Sequence, residues 1–159
     1  MQMLVFAAVG YTVYRFAKSR YDRAAQGVIA QIGSDGSSVP VIAAFTGVRG
    51  LPWWFAVAVN NANPTLAITP SAVRVKVIRT TEHAMADVEL VDVRTAWKTV
   101  NLHIRFKGQA LTYAANLGSR SLARDALTLL PSHVPMTSRA KALQDGSDVQ
   151  ESAARQPAF

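Results

Sequence analysis

The sequence predicts a mainly β fold with some α: an antiparallel sheet closed by one C-terminal helix and preceded by a long hydrophobic N-terminal helix. Three observations predict it. Val73, Val75 and Val77 alternate with Arg74 and Lys76, and Val100, Leu102, Ile104 and Phe106 alternate with Asn101, His103, Arg105 and Lys107, which is the period of half-buried strands. Beyond Gly118 the period lengthens, and Leu122, Ala126, Leu127 and Leu130 fall on one helical face. At the other end, Met3 to Tyr14 is apolar almost all round.

Taken in order, residues 1–32 read as one helix. Its second half is amphipathic, with Tyr21, Ala24, Ala25, Val28 and Ile29 at helical spacing. Gly33-Ser34-Asp35-Gly36-Ser37-Ser38 stops it and reads as a flexible linker. The apolar run Val39 to Phe45 is a first β segment, and Thr46 to Pro52 a loop. Trp53 to Val59 follows as a strand, and Asn60-Asn61-Ala62-Asn63-Pro64 is a turn. Leu66 to Thr69 is a short strand ended by Pro70-Ser71, and 73–77 the next. Asp87 to Val93 continues the alternation with Val88 and Leu90 inward, and Val91 as a third candidate. Lys107-Gly108 marks a tight hairpin between strand 100–106 and strand 110–115. Ser119 or Ser121 caps the helix that Pro131 ends. The remainder, 132–159, is rich in Ala, Ser, Gln and charge and reads as a mostly flexible tail, with room for a short helix around 138–143. The implied division is an N-terminal helix over 1–32, a linker with the first β segment over 33–52, a domain over 53–131 and the tail.

A chain of 159 residues is long enough for one domain with a real core, and half of it is hydrophobic while 17% is charged. The net charge of +7 is unevenly spread. Residues 1–32 hold Arg15, Lys18, Arg20 and Arg23 against Asp22 alone, and the tail is balanced. Cations directly after an apolar segment suit an anionic membrane surface. Residues 1–17 span about 25 Å as a helix against a hydrocarbon core of about 30 Å, a shortfall that snorkelling of Arg15 and Lys18 reduces. The segment lacks the basic start and small-residue cleavage site of a secretory signal. The basic cluster after it places the domain on the cytoplasmic side of the inner membrane. Absence of cysteine excludes disulfides and thiolate chemistry.

Catalytic and metal-binding patterns are missing. His83, His103 and His133 are far apart and none has a second ligand at metal spacing; His103 lies on the polar side of its strand and reads as exposed. Asp87 and Glu89 share a strand face and are the one pairing that general acid–base chemistry would use, yet no nucleophile or cofactor motif accompanies them. Gly47-Val48-Arg49-Gly50 is too short and isolated for a phosphate loop. No cofactor, no metal and no enzymatic activity are expected. Nucleic-acid readers interleave aromatics with cations, and here the aromatics sit elsewhere, which argues against nucleic acid.

The order of strands closed by one amphipathic helix resembles the pleckstrin-homology-like (PH-like) fold, and within it the bacterial PH domain group of small, often membrane-anchored proteins. The resemblance lies in the strand–turn–basic strand over 66–75, in Val88-Glu89-Leu90-Val91-Asp92-Val93-Arg94, and in the Lys107-Gly108 hairpin followed by helix 121–130. It implies an antiparallel PH-like sheet or barrel and a binding or assembly module, and carries over no catalytic residue. If the sheet curls in that way, Arg74, Lys76, Arg105 and Lys107 decorate its outer wall as lipid- or anion-binding groups. Arg15, Lys18, Arg20 and Arg23 become membrane-interface residues. Trp53, Trp54 and Phe55 cannot all share one face, so part of that cluster is a candidate partner contact. The expectation is a membrane-anchored binding or scaffold module meeting anionic lipid or a protein partner. The alternative is an accessory subunit that docks its N-terminal helix into a membrane protein complex.

Overall fold

The computed structural model describes residues 29–32, 36–50, 56–60, 63–96 and 99–147. Over these the chain forms two five-stranded antiparallel sheets and two helices. The first sheet has the order β1-β2-β5-β6-β7, from β1 (Ala30–Ile32), β2 (Gly36–Val39), β5 (Thr65–Ile68), β6 (Ala72–Lys76) and β7 (Thr80–Ala84). The second has the order β4-β3-β10-β9-β8, from β3 (Ala43–Val48), β4 (Ala56–Asn60), β8 (Val88–Ala96), β9 (Thr99–Phe106) and β10 (Leu111–Asn116). The chain passes between sheets three times: at Pro40-Val41-Ile42, between β4 and β5, and through the 3-10 turn Met85–Asp87. Helices α1 (Arg120–Thr128) and α2 (Ser138–Asp145) follow.

Alternation decides what each sheet buries. Val73 and Val75 of β6 and Val100, Leu102, Ile104 and Phe106 of β9 enter one shared core. Leu122, Ala123, Ala126 and Leu127 of α1 and Ala140 and Leu143 of α2 complete it. Tyr113 of β10 crosses the core, and its hydroxyl donates to the Thr65 carbonyl of β5 at 3.1 Å, so one hydrogen bond ties the two sheets. Burial pushes that phenol well above its usual titration range. Ser119 caps α1, accepting from the Leu122 amide at 3.2 Å. Just before it, Gly118 has φ +76°, a conformation that favours glycine, and a Cβ there would stand 2.8 Å from Ile42 Cδ1 and push that side chain aside.

Several sequence expectations need correction. The sheets do not close into a barrel among the described residues. The N-terminal helix does not run to 32: Ala30–Ile32 is a strand, paired antiparallel with 36–38, and residues 1–28 lie outside the described residues. The expected linker contributes β2, whose Ser37 and Ser38 pair with Ile68 and Ala67. Main-chain pairing needs no apolar side chains, so its composition concealed it. Strand β7, Thr-Thr-Glu-His-Ala, was hidden for the same reason. The expected tail is packed over 132–147. Thr137 caps α2, and Gly146 ends it in the left-handed region. Within α2 only Ala140 and Leu143 are buried, a stripe too thin to show in the sequence. In β8 the register shifts between Val88 and Leu90, so Glu89 is an extra residue. That bulge turns Leu90 outward, against expectation, and sends Val91, the third candidate, inward with Val93.

Candidate functional site

The outer face of the second sheet holds the most elaborate polar arrangement. Antiparallel register aligns its side chains in rows. One row runs Leu90, Arg105, Thr112, Gly47 across β8, β9, β10 and β3. The next runs Asp92, His103, Ala114, Phe45. Arg94 opposite Asn101 begins a third. Small residues at Gly47 and Ala114 leave the middle low, and a Cβ on Gly47 would meet Thr112 Oγ1 at 3.0 Å. The result is a concavity of about 200 Å3 walled by Arg49, Arg94 and Arg105 and floored by Asp92, His103 and Thr112.

Arg49 follows β3, and its guanidinium pairs with Glu89 of the β8 bulge. Since β10 and β9 lie between those strands, the pair reaches over the rows beneath. Asp92 is only 8% exposed and is heavily engaged. It accepts from Arg139 at 2.9 and 3.2 Å, from Arg94 Nε at 3.2 Å, from the Thr137 hydroxyl at 2.8 Å and from the Val93 amide at 2.9 Å. Burial alone would raise its pKa. The Thr137 hydroxyl, Arg94, Arg139 and the Val93 amide together hold it below the ordinary carboxylate range. His103, opposite Asp92, is pushed down to about 4 by burial, with the positive charge of Arg94 adding to it, so its ring is neutral at pH 7. Arg105 is half-buried and has no hydrogen-bond or ion-pair partner among the described residues.

A second concavity, about 470 Å3 and mostly apolar, opens where the β6–β7 and β9–β10 connections come together beside β4. Val57 (61% exposed), Ile78 (76%) and Leu111 (46%) surround it, with Arg79 among its lining residues. Phe106 stacks on His83 beside it, ring centroids 3.8 Å apart.

No protein-family model matches the chain, and no curated protein matches it. The candidate sites therefore rest on geometry.

The four cations expected to act together are divided. Arg74 stands on the outer face of the first sheet and donates from Nε and Nη2 to one oxygen, Oε2, of Glu82 directly opposite on β7, at 2.8 and 2.7 Å. Lys76 ends the same strand. Arg105 belongs to the outer face of the second sheet. Lys107 is drawn to the 3-10 turn, its Nζ donating to the Ala86 carbonyl at 2.7 Å. Asp87 and Glu89 do not share a strand face: Asp87 ends that turn and Glu89 is the bulge residue. His103, expected to be exposed, is largely covered by its row neighbours. Trp53, Trp54 and Phe55, and Arg15, Lys18, Arg20 and Arg23, lie outside the described residues. Among the described residues no cluster of three metal-ligating side chains occurs, and no helix is long and apolar enough to cross a membrane. Sequence reasoning missed Arg49, Asp92, Arg94 and Thr112 as a group. The signal lay in the outward residues of three strands read together, which required the register.

Proposed function

We propose that this chain is a membrane-associated, non-enzymatic binding or scaffold module built on a PH-like domain. The observation that carries the reading is the apolar groove with Val57, Ile78 and Leu111 exposed around it and Arg79 at its lining. Exposed aliphatic side chains beside cations suit the boundary between lipid headgroups and acyl chains, where apolar burial and attraction to anionic lipid add. Two antiparallel sheets followed by an amphipathic helix support the PH-like part of the reading. The carboxylates weighed for acid–base work favour a structural role, since Glu89 is paired with Arg49 and Asp87 stands apart from it at the end of the 3-10 turn. The apolar segment of residues 1–17 supplies the anchor in this scheme.

Vesicle co-sedimentation of the full chain tests it. Pelleting should be stronger with vesicles containing phosphatidylglycerol than with phosphatidylcholine alone, and should weaken on Ile78→Asp and on deletion of residues 1–17. A full chain that stays in the supernatant with both vesicle types points instead to a protein partner for the groove.

A further inference from the structure

We propose that the concavity between Arg49, Arg94 and Arg105 on the outer face of the second sheet binds a phosphate group, carried by a lipid headgroup or by a soluble phosphomonoester. Three guanidinium groups line the concavity, those of Arg49, Arg94 and Arg105, and a fourth, Arg139, is held on its Asp92; the carboxylates set against them are Asp92 and Glu89, the latter paired with Arg49. Two positive charges are left over. A phosphomonoester carries about −1.5 to −2 at pH 7 and so matches that excess, whereas a single carboxylate leaves half of it unanswered.

The donors are of the right kind. Guanidinium forks fit phosphate oxygens two at a time. Arg94 and Arg139 are engaged on Asp92 and Arg49 on Glu89, so these three hold the wall and its charge in place. Arg105 is different: it sits half-buried at the concavity, uncommitted among the described residues, with its fork free for a ligand. The Thr112 hydroxyl is its cross-strand neighbour, and the neutral His103 ring adds a further donor when its proton is on the exposed nitrogen. A volume of about 200 Å3 is enough for one tetrahedral anion and part of its hydration. Arg94, His103, Arg105 and Thr112 project from strands in defined register, which favours a fixed geometry over an adaptable one.

The lipid form of this inference rests on the membrane reading above; the phosphate site itself does not. The test uses the full chain and three probes: inorganic phosphate, acetate, and phosphatidic acid in phosphatidylcholine vesicles. Calorimetric or amide-shift titration should show saturable phosphate binding, with changes confined to 48–50, 90–94, 101–105 and 112, and acetate should bind more weakly. Arg105→Gln should weaken phosphate binding by about tenfold or more. Its thermal midpoint should stay at the wild-type value, because the side chain has no partner to lose among the described residues. Arg74→Gln should leave binding unchanged. Phosphate binding together with Arg105-dependent recruitment to phosphatidic acid supports a lipid ligand. Phosphate binding without that recruitment supports the soluble form. Phosphate binding that is absent, or indifferent to Arg105→Gln, overturns the proposal even if the chain still pellets with anionic vesicles, an outcome that leaves the membrane reading standing.

Discussion

The outer faces of the two sheets start from the same sequence pattern and end in different states. On the first sheet, Arg74 and Glu82 face each other across β6 and β7, both about half exposed, as an isolated surface pair. On the second, Asp92, Arg94, Asn101, His103 and Arg105 form a continuous polar layer in which Asp92 and Asn101 are each only 8% exposed. Two things produce the difference. The second sheet has the longer strands, nine residues in β8 and eight in β9, which stack outward-facing residues in several rows, and α2 with its cap adds Arg139 and Thr137 beside β8. Alternation tells which residues leave the core, but it does not tell how wet their new surroundings are.

Four expected outcomes test that contrast, beginning with the core beneath both faces. Leu127 is fully buried where α1 meets the sheets, so Leu127→Asp should lower stability by about 4 kcal/mol or more. Chemical denaturation measures this, and a change under about 1 kcal/mol would refute the packing described. Asp92→Ala removes the group that Arg139, Arg94 and Thr137 share, and should cost about 3 kcal/mol. Hydrogen exchange should rise first in α2, the element that this carboxylate tethers; exchange unchanged there would show that the tether is idle.

The third outcome concerns pH. His103 has a lowered folded-state pKa of about 4 against an ordinary 6.5, with Asp92, Arg94 and Arg139 as its charged neighbours. The unfolded chain therefore takes up a proton first. The contribution is fully present above pH 6.5 and is lost as pH falls towards 4, amounting to roughly 2 kcal/mol by pH 4.5. His103→Gln should flatten the stability profile across that window. Asp92 is also depressed, so its contribution is present above its unfolded value of 3.8 and persists until pH falls through the lower folded value. The two groups thus act in separate windows. Smallest of all, Glu82→Ala on the first sheet should change stability by no more than about 0.5 kcal/mol, as exposed pairs do. A large loss there would erase the contrast between the faces.

Much of the fold could be read from side-chain period. Strands β6 and β9, the β9–β10 hairpin and α1 with its Ser119 cap sit where the pattern places them, because each has one face in the core and one outside. Elements held mainly by backbone pairing, β1, β2 and β7, could not be seen that way. The candidate sites were legible only in fragments. Arg105 stood out as a cation on a clean strand, but its companions Arg49, Arg94 and Thr112 come from three other segments. Arg49 in particular lay in a short glycine-flanked stretch without a phosphate-loop pattern. Its place depends on a turn after β3 and on a bulge 40 positions further on. Such a site is a property of register, and register is a long-range fact.

The segment that runs beside β8 has a bearing on where this domain can be cut. The Val91 amide donates to the Pro135 carbonyl at 2.9 Å, and the Thr137 amide donates to the Val91 carbonyl at 3.0 Å, with Met136 alongside as a short parallel bridge. Without it, a nine-residue strand would present main-chain donors and acceptors to any other extended chain, an open invitation to edge-to-edge association. Residues 135–137 act as a selvedge that keeps the fabric from unravelling into its neighbours. A version ended at Pro131, the boundary that helix periodicity suggests, would keep every strand and still have lost its guard against self-association.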